Sequence, residues 1–341
     1  MSNLKDLLFK LCRAVGVPGV LEASYVAAEE LSKYAEVHTD SMGGVIGVIK
    51  GQSDYNILLD AHIDEIGMMV TAIDESGFLK VARAGGIDLR VLPNSLVTVH
   101  GKRELKAIFC STPPHLKKDD DDKFSDFDSL YLDTGLSGAT AKELISVGDR
   151  ISASVAPVEL LNGKIAAKSL DDRAGCAALI YTAKQIFERG VPPITVTIAL
   201  SAQEELGCRG AKIAAFSSAA NEAIAVDVSF GFSSDLSAEK CGKLGEGAML
   251  GVSPVLSKEI TNKLLAVAKK KAIAIQFEGM GGTTSTNADV IGVTKDGIKC
   301  GLLSIPLKNM HTPVEIVTVA DVVATANLIT EYIFEGGIRD A

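Results

Sequence analysis

Five segments of the sequence carry carboxylates or imidazoles where a strand-like apolar run ends or a helix is about to begin. These residues are His62 and Asp64 in LLDAHID, Asp171 and Asp172 in KSLDDRAG, Glu204 and Glu205 in IALSAQEE, Asp227 in AIAVDVSF, and His311 in PLKNMHTPVE. Each segment alone has an ordinary explanation, because an Asp-Asp pair often caps a helix and a Glu-Glu pair or single histidine is common in solvated loops. Together they predict one site, since ligands of an open α/β sheet bind at the carboxyl ends of its strands.

The chemistry expected of such a site is metal binding. Buried carboxylates that crowd together repel one another, and cations between them remove that repulsion. Two divalent ions would be enough to balance the charges. A mixed set of imidazole and carboxylate ligands suits Zn, Co or Mn rather than Ca.

The elements that must position these residues alternate between strand and helix. The run YNILLDAHID has an apolar centre typical of a strand buried on both faces. Beyond residue 164 the pattern predicts helices over about 174–189, from about 208, over 257–272 and after 318, and strands over 193–205, 222–230, 273–277 and 300–307. This alternation indicates an α/β fold with a mostly parallel sheet flanked by helices.

A segment with a different pattern of apolar and polar residues interrupts the alternation of strands and helices. Short alternating runs with turn residues between them, such as GMMVTAI and NSLVTVHG, predict a β-rich, barrel-like insert over 68–156. The α/β domain would then comprise residues 1–67 and 157–341. Within the insert, the charged segment over 113–126, which contains DDDDK, is interpreted as a solvated acidic loop.

Composition and charge argue against several classes of function. The 341 residues include 43 acidic and 34 basic side chains, a formal charge of −9, which opposes binding to a nucleic acid or another polyanion. Aromatic residues make up only 5% and tryptophan is absent, so few side chains are available to stack on bases or long sugars. A hydrophobic fraction of 47% excludes a largely disordered chain.

The distribution of cysteines and the length of the apolar runs indicate the cellular compartment in which the protein is expected. The six cysteines are scattered and form no C-x-x-C pair, which is typical of a reducing environment rather than a disulfide framework. No signal-type apolar core is present near the first residues, and no apolar run reaches the roughly 18 residues that a membrane helix needs. We therefore expect a cytoplasmic protein without a membrane partner.

The order and spacing of the motifs resemble a known family. The stretches DAHIDEIGMMV, KSLDDRAG, QEELGCRGA, AVDVSFG and IPLKNMHTPVE, together with the PPH and YLDTG segments of the insert, resemble the M42 metallo-aminopeptidases, which include the tetrahedral (TET) peptidases and the glutamyl aminopeptidases. The resemblance implies hydrolysis of N-terminal residues from short peptides through water activated by two divalent metal ions, with Zn or Co expected and Mn as an alternative. It also implies homodimers formed through the insert and a dodecameric tetrahedron built from them.

The same resemblance implies metal-ligand roles for five residues. Asp171 would bridge the two ions. His62 and Asp227 would complete one metal site, and Glu205 and His311 would complete the other.

Three further residues have roles by resemblance. Glu204 would be the general base. Asp64 would accept a hydrogen bond from the ligand imidazole of His62 and fix its tautomer. Asp172 follows the bridging aspartate at a position where such enzymes often have a cis peptide.

Some positions depart from the family pattern. Relatives usually carry an acidic residue just after Gly-Gly-Thr, where this chain has Thr284, and Lys308 and Asn309 replace the aromatic or basic residues common before the MHTP motif. These differences leave the preferred N-terminal residue open. A Lys308 near the pocket would favour acidic side chains, and the alternative is a lysine that faces solvent. The remaining histidines are expected to be structural: His38, His100 and His115.

Two other functions compete with an aminopeptidase. One is a related co-catalytic metal hydrolase that acts on another amide, such as a deacylase or a dipeptidase. The other is a non-catalytic scaffold with the same fold, against which the complete set of ligands and base argues. Glycoside hydrolysis is disfavoured, because it normally uses a metal-free pair of carboxylates.

Overall fold

The computed structural model describes residues 2–111, 116, 127, 130–234 and 236–338. The predicted acidic loop over 113–126, including His115, lies outside these residues except at Leu116.

Helices and strands alternate along the described chain. The α-helices are α1 (Ser2–Arg13), α2 (Glu22–Leu31), α3 (Gly138–Leu144), α4 (Leu170–Arg189), α5 (Arg209–Ser217), α6 (Lys258–Lys271), α7 (Ala288–Ile291) and α8 (Val319–Phe334). The strands are β1 (Glu36–Thr39), β2 (Val45–Ile49), β3 (Asn56–His62), β4 (Gly67–Ile73), β5 (Leu79–Ala84), β6 (Leu96–His100), β7 (Glu104–Phe109), β8 (Leu132–Asp133), β9 (Arg150–Ala153), β10 (Val158–Glu159), β11 (Lys164–Ala167), β12 (Thr195–Ser201), β13 (Glu222–Phe230), β14 (Ala248–Val252), β15 (Ile275–Gly279), β16 (Lys299–Leu307) and β17 (Glu315–Thr318).

An eight-stranded sheet forms the centre of the molecule. Its strand order is β1-β2-β12-β3-β13-β16-β14-β15. The four central strands, β12, β3, β13 and β16, are parallel to one another, so their carboxyl ends share one edge. All seven residues of β3 are buried, as its continuous apolar run predicts for a strand covered on both faces.

Helices cover both faces of this sheet, which confirms the predicted α/β class. Helices α1, α2, α4, α6 and α8 pack their apolar residues on one face, around Leu59 and Leu303. Helices α5 and α7 pack on the other face, around Leu58 and Leu302. Neighbouring residues of β3 and β16 thus enter opposite cores, as the alternation of side chains along a strand requires.

The insert is a closed barrel of six strands in the order β4-β5-β8-β7-β6-β9. Its core is formed by inward-facing apolar side chains such as Val70, Val99, Phe109 and Ile151, which are completely buried. The predicted β-barrel-like insert is therefore present, with strands between Gly67 and Ala153. The division of the chain into separate domains at 68 and 156 stays a prediction.

Two segments next to the predicted site have irregular backbone, and one of them differs from the sequence-based expectation. Strand β12 ends at Ser201, so Glu204 and Glu205 lie in the turn that follows rather than on the strand. Helix α4 has non-helical backbone angles at Asp171 and Asp172, so its regular part begins close to the predicted residue 174. Both sites of irregular backbone lie at the edge where the chemistry is expected.

No helix in the described parts of the chain is both long and apolar enough to cross a membrane. All six cysteines lie in these parts and none forms a disulfide.

Candidate metal centre

The predicted site residues lie on five separate segments of the chain, which meet at the carboxyl edge of the central strands. His62 is the last residue of β3, and Asp227 lies in β13 beside it. Asp171 precedes the regular part of α4, Glu205 lies in the turn after β12, and His311 lies in the loop after β16.

Asp171 lies between the two histidines. Its Oδ1 atom is 2.9 Å from Nε2 of His62, and its Oδ2 atom is 3.3 Å from Nε2 of His311. On the first side, Oδ1 of Asp227 is 3.9 Å from Nε2 of His62. On the second side, Oε1 of Glu205 is 3.4 Å from Nε2 of His311. The structure thus brings the five predicted ligands together as two triads that share Asp171, in each of which the potential ligand atoms lie within 4.8 Å of one another.

Glu204 lies beside both triads. With His62 and Glu205 it forms a third group whose potential ligand atoms lie within 4.8 Å. One carboxylate oxygen, Oε1, accepts a hydrogen bond from the thiol of Cys208 at 3.4 Å. The carboxylate of Glu205 approaches His311, so the two adjacent glutamates have different neighbours.

Asp64 contacts the site through the turn that carries the two glutamates. Its carboxylate accepts the backbone N–H groups of Glu204 at 3.0 Å and Glu205 at 3.3 Å. The nearest acceptor to Nδ1 of His62 is the backbone carbonyl of Asp64 at 3.2 Å, whereas the carboxylate is 3.7 Å away. Asp64 therefore fixes the glutamate turn directly, and its predicted effect on the tautomer of His62 stays a prediction.

Asp172 does not belong to either triad. The Asp171–Asp172 peptide bond is cis, which confirms the expectation from the family resemblance. The Asp172 side chain is fully buried, and its Oδ1 atom accepts the N–H of Gly175 at 2.9 Å. Its Oδ2 atom has no hydrogen-bond partner within the described residues.

Glu315 supports the site, although it was not singled out in the sequence. Its two carboxylate oxygens accept the backbone N–H of Asp171 at 3.1 Å and that of His311 at 3.0 Å. The side chain is only 1% exposed, so it holds two proposed ligands in place from inside the protein. The sequence offers one signal for this role. Glu315 lies four residues after His311 in HTPVE, a spacing that allows its carboxylate to contact the loop that carries His311.

The close approach of charged groups shifts the pKa of several residues at this site. Burial alone would raise the pKa of Asp171, but hydrogen bonds to His311 and His62 hold that pKa well below its usual value. Hydrogen bonds to Asp171 and Glu205 raise the pKa of His311 to about 11. Burial raises the pKa of Asp227 well above its usual value, and the negative charge of Asp171 adds to this shift. The carboxylates thus outnumber the imidazoles that pair with them, a charge balance that favours bound cations.

A cavity of about 510 Å³ opens beside these residues. Its walls include Glu204, Phe277, Glu278 and Thr284. Among the positions that depart from the family pattern, Thr284 lines this cavity and Asn309 lines a neighbouring one. Lys308 is not among the described residues that line either cavity.

The other two described histidines lie away from the centre. His38 is on the edge strand β1, and Nε2 of His100, on barrel strand β6, is 2.8 Å from the hydroxyl of Ser152.

Comparisons with known proteins place this geometry in a family context. The family model of the M42 glutamyl aminopeptidases matches residues 43–328. The lysyl aminopeptidase of Pyrococcus furiosus is 32% identical over 337 residues, which cover 95% of this chain and 94% of that protein.

Two solved structures are similar over nearly the whole chain. The TET aminopeptidase from a marine sediment archaeon, Thaumarchaeota archaeon SCGC AB-539-E09, superposes with a TM-score of 0.94 at 27% identity, covering 98% of this chain and 97% of that one. The TET1 peptidase of Pyrococcus horikoshii, which can assemble into a tetrahedron or a large octahedral shell, has a TM-score of 0.87 at 30% identity, covering 97% of this chain and 99% of that one.

Proposed function

The chain belongs to the M42 glutamyl aminopeptidase family, and we propose that it removes N-terminal residues from short peptides with the help of two divalent metal ions. The observation that carries the two-metal proposal is the position of Asp171, which presents one carboxylate oxygen to each of two histidines. A single carboxylate placed in this way suits a bridge between two cations.

The donor set fits borderline divalent metals. His62, Asp171 and Asp227 would hold one ion, and Asp171, Glu205 and His311 the other. Imidazole nitrogens mixed with carboxylate oxygens favour Zn, Co or Mn over Ca. When bound, such ions lower the pKa of a coordinated water and polarise the carbonyl of the scissile bond.

The proton transfers are assigned to Glu204. Its carboxylate lines the cavity beside both triads, and burial together with the charge of Glu205 raises its pKa, which improves it as a base. It would accept a proton from the attacking water and pass it to the departing amine. Asp64 would keep Glu204 in reach, because its carboxylate holds the backbone N–H of that residue.

We further propose that the chain forms homodimers through its barrel and that these build a larger closed assembly. Three apolar barrel residues are exposed in a single copy, Leu96 at 44%, Ile108 at 49% and Tyr131 at 39%. Leu96 and Ile108 are directly paired across β6 and β7, so they form one patch that a second copy would cover. The TET structures support this proposal by their similarity.

Reconstitution of the purified protein with Zn, Co or Mn tests the catalytic proposal. We expect hydrolysis of amino-acid anilides to require metal and to exceed hydrolysis of N-acyl amino acids, which are substrates of deacylases. Glu204→Gln should retain metal yet lose about 10²–10⁴-fold in kcat, the usual contribution of a general base. Its neighbour Glu205→Gln is the matched control and should instead weaken metal binding, measured by calorimetry.

Two results would contradict the proposal. One is a preference for N-acyl amino acids over anilides with every metal. The other is a Glu204→Gln variant that retains wild-type kcat in the metal-loaded state.

A further inference from the structure

Glu278 is an acidic side chain in the cavity that the proposed mechanism does not use. It lies near the end of edge strand β15. The hydroxyl of Ser304 donates to its Oε2 atom at 2.7 Å, and the hydroxyl of Ser229 donates to its Oε1 atom. Both serines are buried, at 1% and 7% exposure, so two fixed donors hold the orientation of this carboxylate.

The two serines place Glu278 next to the metal centre. Ser304 on β16 is the register partner of Asp227 on β13, and Ser229 lies two residues beyond Asp227 on the same strand. Side chains at register partners and at every second position share one face of a sheet, and neighbouring strands are about 4.8 Å apart. The Glu278 carboxylate is therefore within reach of a residue whose peptide bond lies at the metal centre.

Among the residues that the structure describes, Glu278 has no cationic partner. Within the described residues, no lysine, arginine or histidine lies within ion-pair distance of it, and its hydrogen bonds come from two neutral hydroxyls. A carboxylate has about four lone-pair positions, so these two bonds leave others free for the cavity. Lys240 also lines the cavity, but it is exposed in a short helical turn next to Glu239.

The cavity near Glu278 also has apolar walls. Met249, which is 1% exposed, lines the cavity and is the register partner of Ser304, and Met280 lines it two residues after Glu278. An apolar wall next to an unpaired carboxylate matches a long side chain with a methylene stem and a cationic end.

We propose that Glu278 is a specificity-determining residue that binds the cationic end of a lysine or arginine side chain at the N-terminus of the substrate. The enzyme then prefers peptides that begin with a basic residue. This inference rests on the proposed aminopeptidase function, because it places the first substrate residue in this cavity.

Anilides of matched shape test the inference. Norleucine has the methylene chain of lysine without its ammonium group, so the ratio of kcat/KM for lysyl to norleucyl anilide isolates the charge. We expect a ratio of about 10–100 in the metal-loaded wild type, the range set by one charged hydrogen bond, and a raised ratio for arginyl anilide as well. Glu278→Gln should bring both ratios close to one, and Glu278→Lys should favour glutamyl anilide.

Two further variants separate local charge from other effects. Ser304→Ala removes one of the two hydroxyls that fix Glu278, so we expect a reduced ratio. Glu188→Gln removes the same charge from the exposed end of α4, where Glu188 lies 3.7 Å from Lys184, and should keep the wild-type ratio.

The outcomes distinguish this inference from the proposed function. Wild-type hydrolysis of norleucyl anilide that equals or exceeds hydrolysis of lysyl anilide overturns the role of Glu278 and leaves the aminopeptidase proposal intact. This measurement needs no variant, so it holds even if Glu278→Gln does not fold. Failure of every anilide with every metal overturns both.

Discussion

At the scale of single residues, Glu222 is a buried carboxylate far along β13 from the metal centre. It is completely buried, and its Oε2 atom accepts the hydroxyl of Tyr332 at 2.9 Å. Its other oxygen, Oε1, has no hydrogen-bond partner among the described residues. Burial raises the pKa of Glu222 to about 7, so the folded protein prefers the protonated form.

This raised pKa makes Glu222 a source of pH-dependent stability. Unfolding returns the carboxyl to a pKa of about 4.3 and releases its proton, so the stabilising effect is complete below that pH and is lost as the pH rises to about 7. Glu222→Gln keeps an acceptor for Tyr332 but cannot ionise. We expect the difference in unfolding free energy between variant and wild type to increase in favour of the variant from pH 5 to pH 8, by on the order of 3 kcal/mol.

Urea unfolding of both proteins at the two pH values measures this gain. Because the metal centre is common to both, its own titration cancels in the comparison. An equal difference in unfolding free energy at pH 5 and pH 8 would show that Glu222 is already ionised in the folded protein.

Residue types and their spacing in the sequence were enough to predict which acidic residues and histidines the structure brings together. The acids and imidazoles follow buried strands, and the parallel centre of the sheet collects them at one edge. Contacts made through the backbone were not predictable in the same way. Asp64 accepts hydrogen bonds from N–H groups of a turn 140 residues later in the sequence, and Glu315 accepts those of Asp171 and His311. The direction of a backbone N–H group depends on the conformation of its loop, which residue types alone do not reveal.

At the scale of elements, the turn after barrel strand β5 packs against the metal centre. A Cβ atom added at Gly86 would lie 2.7 Å from Nδ1 of His311, and one added at Gly85 would lie 3.0 Å from Oε2 of Glu205. Both distances are shorter than ordinary van der Waals contact. The barrel therefore contributes close packing around two proposed ligands.

Gly86→Ala tests this packing. The added methyl group should displace the imidazole of His311, and we expect kcat/KM for a leucyl anilide to fall about 100-fold with little change in unfolding free energy. Gly148→Ala in the same barrel is the control. It has open space but a φ of +100°, so it should cost stability and leave activity unchanged. Wild-type kcat/KM in Gly86→Ala would refute a role for this turn.

The elements themselves were largely predictable, and their ends were not. The apolar runs of β3, β12, β13 and β16 predicted buried strands, and the structure confirms them. The extension of β12 to Glu205 was wrong, because Gln203 adopts a left-handed φ of 62° and the chain turns after Ser201. Hydrophobic patterning determines which segments are buried, whereas single backbone angles determine where a strand stops.

At the scale of the whole molecule, the exposed pair Leu96 and Ile108 is the basis for the proposed interface between two copies of the chain. Ile108→Asp places a charge in this patch while the inward-facing Phe109 and Ala107 stay unchanged. We expect wild type to show a mass that is a multiple of two chains of 35.7 kDa in light scattering, and the variant to dissociate toward the monomer. A wild-type protein that is monomeric with metal bound would overturn the proposed assembly.

The five proposed ligands are distributed along the chain from His62 to His311. A ribosome must therefore synthesise all five segments before the proposed pair of metal sites can be complete. A translation product that stops before His311 lacks a proposed ligand of the second site, so the proposed centre would be incomplete in such a fragment. Under the proposed function, the ability to cleave peptides therefore depends on synthesis of nearly the whole chain.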